Sequence, residues 1–124
     1  MVSSKEKMKS FKHLLIWQKG FEIAIKSFRL VDGFPKAEKF GLANQITRAA
    51  VSIPSNIAEG SSRTSEKEYN RFLEHSLGSS FELETHLLIA DAVNYGQPDL
   101  RSLVLQDVRD EQKMLSSFMS KLNK

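Results

Sequence analysis

Three kinds of side chain in this sequence could do chemistry, and their spacing decides whether they do. Histidines stand at 13, 75 and 86, serines at 52, 55, 61 and 62, and a polar row of Gln45, Arg48, Ser52, Ser55 or Asn56, Glu59 and Arg63 recurs at helical intervals. Histidine can ligate a metal or move protons near neutral pH, but His13, His75 and His86 fall on different helices or different helix faces. Glu82 and His86, four residues apart, could touch one metal; two ligands do not make a site, and an ordinary side-chain pair on one helix face explains the spacing. A di-iron bundle needs Glu-x-x-His on two helices together with further inward glutamates, a pattern this chain does not have. The serines lack a nearby base and an evident oxyanion donor. Glycine-rich phosphate loops of the P-loop or dinucleotide type are also missing. These residues therefore predict no enzyme, no metal and no cofactor. The polar row reads as a hydrogen-bonded subunit contact, with a ligand or nucleic-acid surface as the alternative.

At 124 residues the chain suits one domain, able to bury about two thirds of the surface its unfolded form exposes. It contains no cysteine, which excludes a disulfide scaffold, a thiolate zinc site and a cysteine nucleophile, and makes a reducing cytoplasm the expected location. No apolar run approaches the roughly 18 residues of a membrane span, and the polar start MVSSKEKMKS lacks the apolar centre of a signal peptide. A soluble, unexported protein without membrane contact is expected. The net charge of +3 is unevenly spread: residues 1–39 carry nine Lys/Arg against four acids, +5, and residues 40–124 carry nine against eleven, −2. A basic first third is compatible with phosphate contacts, although a solvated lysine-rich helix face gives the same composition.

The elements that must position these residues are all helical. From Phe11 to Val31 one apolar row runs Leu14, Trp17, Phe21, Ile25, Phe28 and a second Leu15, Ile16, Ile23, Leu30, an amphipathic helix with a wide apolar arc. Asp32-Gly33 and Phe34-Pro35 end it. After KAEK, the row Leu42, Ile46, Ala49, Ile53, Ile57 advances in steps of 4, 3, 4 and 4, straight past Pro54. A proline inside a helix removes an amide and clashes with the preceding turn, at a cost of about 3 kcal/mol. Because the steps stay in phase across it, one continuous helix kinked at Pro54 is expected rather than two. GSSRT breaks the pattern, and Ser65 to Glu68 has the capping-box form that opens a third helix. That helix continues through Tyr69, Phe72, Leu73, Leu77, Phe81, Leu83, Leu87, Leu88 and Ala90 to about Asn94, and Gln97-Pro98-Asp99 opens a fourth. Its inner face is marked by Leu100, Leu103, Val104, Val108, Glu111, Leu115, Phe118 and Leu122. The predicted fold is all-α: an antiparallel up-down-up-down four-helix bundle over residues 11–124, preceded by a flexible basic tail at 1–10.

Folding helices two and three about residues 61–64 brings residue 78 opposite about 48, so that Gly78-Ser79-Ser80 meets Arg48-Ala49-Ala50. Small residues on both sides would let the backbones approach. The same pairing predicts a partly buried ion pair between Arg48 and Glu82. Apolar residues on more than one face of helices one and three point to self-association.

The stretch QITRAAVSIPSNIAEGSSR, with SLGSSFELETHLLIA at 76–90, LLIWQKGFEIA and FPKAEKFGL, closely resembles the 23S rRNA intervening-sequence protein family over roughly residues 11–122. The resemblance implies small antiparallel four-helix bundles assembled as ring-shaped homopentamers. A related group serves as accessory proteins of diversity-generating retroelements, whose basic pentameric barrel contacts nucleic acid and a reverse transcriptase. Arg48, Ser52, Ile53, Pro54, Asn56, Ile57, Ala58, Glu59 and Gly60 stand at the family's signature positions, as do Gly78, Glu82 and Glu84. No catalytic role transfers with them. The expectation is a non-enzymatic homo-oligomeric binding or scaffold module that contacts RNA or a ribonucleoprotein through Lys5, Lys7, Lys9, Lys12 and Lys19. The alternative is a protein-interaction module with no nucleic-acid role.

Overall fold

The computed structural model describes residues 10–123. All of the expected tail except Ser10, including Lys5, Lys7 and Lys9, lies outside the described residues. Four helices carry the fold: α1 Leu15–Val31, α2 Leu42–Ser61, α3 Glu66–Ala92 and α4 Pro98–Leu122, with short 3-10 turns at Phe11–His13 and Lys36–Glu38. Among the described residues there is no strand, and no helix is long and apolar enough to cross a membrane.

Each boundary follows from local chemistry. Ser10 opens the first turn by accepting from the Lys12 amide at 3.1 Å. The link before α2 is more than a charged spacer, because the Glu38 carboxylate caps α2 by accepting from the Leu42 amide at 3.2 Å. Ser65 caps α3 through the Glu68 amide at 3.1 Å. At the far end of α3 the chain turns left-handed at Asn94 (φ 58°), and the Tyr95 amide reaches back to the Ala90 carbonyl at 2.8 Å. This closure satisfies carbonyls that the helix end would orphan. Pro98 occupies the first turn of α4, and the Gln97 side chain accepts from the Leu100 amide at 2.6 Å. Arg101, nearly buried, then ties the α3–α4 corner together. Its guanidinium donates to the Tyr95 carbonyl at 2.7 Å and to the Asp91 carboxylate at 3.0 Å.

The helices pack in the adjacency of a bundle: α1 on α2, α2 on α3, α3 on α4 and α4 on α1, with the diagonal pairs apart. Ile23, Ile46, Ile53, Ile57, Leu73, Leu83, Leu87, Val104, Val108 and Leu115 are fully buried, each such side chain contributing about 1.5–3 kcal/mol. The α2 row is buried as its spacing predicts from Ile46 onward, and α2 runs unbroken through Pro54. On α1 the core takes Ile16 and Ile23 with Gly20, Ala24, Ser27 and Leu30. The competing row of Phe21, Ile25 and Phe28 is left facing outward.

Two expectations about the α2–α3 seam are corrected. Ser52 lies opposite Ser79 and Ile53 opposite Ser76, so the helices pair about one turn away from the register in which 78 meets 48. The chain reverses nearer to Ser65, where α3 is capped, than to the middle of GSSRT. Glycine at 78 is not what brings the helices together, since a Cβ there would meet nothing within 4 Å. Close approach occurs at Gly60, where a Cβ would fall 2.8 Å from Phe72 Cβ and 3.3 Å from the Tyr69 carbonyl oxygen. Gly60→Ala gains up to about 1 kcal/mol of helix propensity but must push two helices apart, which costs about 1–3 kcal/mol. Urea unfolding should show a net loss of stability, and an unchanged midpoint would contradict the seam.

Candidate functional site

The polar row of α2 is present and its hydrogen-bonding groups are largely engaged. Ser52 Oγ and Ser79 Oγ share a hydrogen bond of 2.7 Å, and Asn56 Nδ2 donates to the Ser52 carbonyl at 2.8 Å and to its hydroxyl at 2.9 Å. Ser76, fully buried, donates to the Ile53 carbonyl at 2.9 Å. The Ser52–Ser79 and Ser76–Ile53 bonds knit α2 to α3 immediately before Pro54, and the Asn56 bonds brace α2 itself where the proline gives the helix no amide. The hydroxyls of Ser61 and Ser62 donate to the Ala58 and Glu59 carbonyls of their own helix at 2.7 and 2.6 Å. Groups held this way act as structural ties. Toward the end of α2, Glu59 pairs with Arg63 at 2.9 Å, and the Arg63 guanidinium lies 4.7 Å from the centre of the Phe72 ring.

The Arg48–Glu82 ion pair does not form. Glu82 is exposed, and His86 Nε2 of its own helix lies 3.9 Å from its carboxylate. Arg48 is also exposed and makes no ion pair among the described residues. Glu84 belongs to the opposite seam. It accepts from Gln112 at 2.8 Å and Arg109 at 3.1 Å, and these bonds, Gln112's first, hold its carboxyl below the usual range against a partial burial that raises it. Among the described residues no three His, Asp or Glu side chains come together as metal ligands.

A second polar cluster joins α1 to α4. Asp107 accepts from Lys26 at 2.7 Å and from Lys19 at 3.1 Å. Burial raises the Asp107 carboxyl, but the two lysines more than offset this and hold it below its ordinary value. Lys19, expected at a nucleic-acid contact, has therefore committed its charge inside the chain. Sequence reading had no signal for this, because the partners are 88 residues apart. One turn further along α4, Glu111 is fully buried and neither carboxylate oxygen has a hydrogen-bond partner. Gly20 makes room for it: a Cβ at that position would come 3.0 Å from Glu111 Oε2, 3.1 Å from Ile53 Cγ2 and 3.4 Å from Pro54 N. Burial pushes the Glu111 carboxyl up to about 8, against the opposing charge of Lys19.

A groove runs along α1 and α2, formed by three adjoining hollows of about 350, 400 and 550 Å³ that share Phe28. Its apolar end is lined by Phe11, Trp17, Phe21, Ile25, Val51 and Pro54. Trp17 stacks on Phe21 at 5.1 Å between ring centres and meets Phe11 edge-on at 5.2 Å. Its other end is polar, with Lys36, Lys39, Asn44 and Thr47 beside Asp32. Phe21 and Phe28 remain 47 % and 51 % exposed, more than two adjacent core aromatics would leave in water. The chemistry this groove offers is apolar contact with a cationic rim.

The buried acid gives a pH dependence whose sign can be worked out. Glu111 is protonated in the folded chain up to about pH 8 but ionises near its ordinary value of about 4.3 when unfolded. Its stabilising effect is complete below the unfolded value and is lost as pH rises through the folded one, at about 1.4 kcal/mol per unit in between. Glu111→Gln should therefore gain on the natural chain as pH rises from 5 to 8 in urea unfolding. A stability difference that stays constant over this range would show that Glu111 is already ionised when folded.

The sequence pattern of the family described as 23S rRNA-intervening sequence protein matches residues 12–117, from the first turn to the last third of α4. No curated protein matches the chain. Among solved structures, a protein of unknown function from the S23 ribosomal protein family of Bacteroides thetaiotaomicron superposes with a TM-score of 0.76. It is 21 % identical, over 85 % of this chain and 98 % of the other. That likeness shows the same fold. With four helices in bundle adjacency and the family pattern running across all of them, the chain belongs to the 23S rRNA-intervening sequence protein family.

Proposed function

We propose that this protein is a non-enzymatic, homo-oligomeric scaffold, a pentamer as the family resemblance implies, that works by presenting a surface to a macromolecular partner. The observation that carries the reading is the α1–α2 groove, with its row of half-exposed aromatic residues beside the polar signature. An apolar face of this extent on so small a chain is economically explained by burial against other copies. The polar row supports the non-enzymatic reading, since Ser52 is bonded to Ser79 of α3 and Asn56 to Ser52 of its own helix, which engages both in holding the bundle together.

For the partner we propose RNA or a ribonucleoprotein, met by the basic first third through Lys5, Lys7, Lys9 and Lys12. Assembly multiplies these charges around one particle, which strengthens a modest phosphate affinity per chain. Lys19 is left out of the contact because Asp107 holds it. The same observation favours a second reading, a protein-interaction module with no nucleic-acid role, because Lys19 and Lys26 together lose their free charge to α4.

Light scattering over a concentration series tests the assembly: several chains per particle are expected, and a monomer throughout would overturn it. Retention of structured RNA, titrated with salt, tests the partner. Changing Lys5, Lys7, Lys9 and Lys12 to Ala should lower the affinity and flatten its salt dependence, whereas Lys19→Ala should leave the slope unchanged. Failure of the natural chain to retain RNA at low salt would leave the protein-interaction reading standing.

A further inference from the structure

The α3 helix carries a feature that its own chain does not explain. Gly78, Phe81, Thr85, Leu88 and Ala92 follow one another in steps of 3, 4, 3 and 4, and every one of them is exposed. This is the spacing with which a helix offers a seam to another helix, yet the core of the bundle uses the opposite side of α3, at Leu73, Ser76, Ser80, Leu83 and Leu87. Phe81 and Leu88 stand 52 % and 45 % exposed. Glycine inside a helix is destabilising relative to alanine, and nothing in the chain requires it at 78, since a Cβ would sit in open space. A small residue between exposed apolar neighbours is accounted for if another surface comes close at that point.

We infer that the α3 ridge of one copy docks into the α1–α2 groove of the next, with Gly78 as the point of closest approach. The inference rests on the self-assembly proposed above and specifies its interface. Both halves are present on every chain, because α1 has its own outward row at Phe21, Ile25 and Phe28, and the groove beside it is concave where the ridge is convex. Charge separates this arrangement from the symmetric ones. Lys36, Lys39 and Arg48 line the groove, with Asp32 as the acid among its lining residues. Glu74 and Glu82 flank the ridge at Gly78, with Arg71 one turn further toward the start of α3. Ridge on ridge would bring acids together and groove on groove would bring cations together, whereas ridge in groove pairs opposite signs. α1 and α3 do not touch within the bundle and stand at diagonal positions. The contact is therefore head-to-tail, and repetition closes a ring if the rotation allows.

Two charged substitutions test it on the full chain. Gly78→Arg blocks the ridge where the chain has open space, and Val51→Arg blocks the groove at an exposed position. Each alone should scatter as a monomer of 14.1 kDa with the helical circular dichroism of the natural chain. Mixed in equal amounts, they retain one intact ridge and one intact groove between them and should form a one-to-one heterodimer that grows no further. If either variant assembles like the natural chain, or if the mixture stays monomeric with both chains folded, the head-to-tail contact is overturned while self-assembly stands. If the natural chain is itself monomeric, the proposed assembly fails first and this interface fails with it. A variant that loses its helical signal is replaced by Phe81→Glu on the ridge or Phe28→Glu in the groove, read in the same way.

Discussion

Three helices meet at one point, where Gly20 of α1 lies against Pro54 of α2 and the Glu111 carboxylate of α4, and much of the architecture depends on that contact. Any side chain at 20 would begin 3.0 Å from the carboxylate and 3.4 Å from the proline nitrogen. Pro54 donates nothing to the preceding turn, so α2 has a weak place there that must be supported from outside. On one side the support is close packing by α1; on the other, Ser76 and Ser79 of α3 bond to the Ile53 carbonyl and the Ser52 hydroxyl. The proline is thus held between a surface without side-chain bulk and a surface of small hydroxyls.

The same junction explains why a glutamate can be the only fully buried acid of α4. A carboxylate without partners is costly in a dry interior and relieves the cost by taking up a proton. The neighbouring Asp107 meets the opposite fate four residues away because two lysines reach it. Two carboxylates on one helix face are separated in their ionisation by which side chains of α1 arrive: long basic ones at 19 and 26, and a glycine at 20. This is also why the basic bias of the first third is weaker in space than along the chain.

Periodicity made the fold legible. The in-phase isoleucines on either side of Pro54 predict the unbroken α2, and the spacing of α4 places Glu111 among its inner positions, where it is buried. Two kinds of information were not legible. The register of α2 against α3 depends on where the turn reverses, which the caps decide within a few residues. A slip of one turn moved the small-residue contact from Gly78 to Gly60. Long-range ion pairs were hidden as well, since Lys19 and Lys26 lie more than 80 residues from Asp107 and no local pattern links them. The double apolar row of α1 was visible, but spacing alone could not decide which row the core would take.

That choice has a physical reason. The core side of α1 is built from Ile16, Ile23 and Leu30 with the small residues Gly20, Ala24 and Ser27 between them, and the glycine lets the helix lie deep against Pro54 and Glu111. Aromatic side chains at those positions would hold α1 away and leave both of those groups without close packing. The phenylalanines of α1, Phe21 and Phe28, stand on the outside, and α3 shows a corresponding division, with Ser76 and Ser80 inward among Leu73, Leu83 and Leu87 and Phe81 outward. Tight packing inside and apolar surplus outside are therefore two results of one constraint. Where α1 packs closely around Pro54, its core side keeps aliphatic and small residues, and its phenylalanines stand on the outer face.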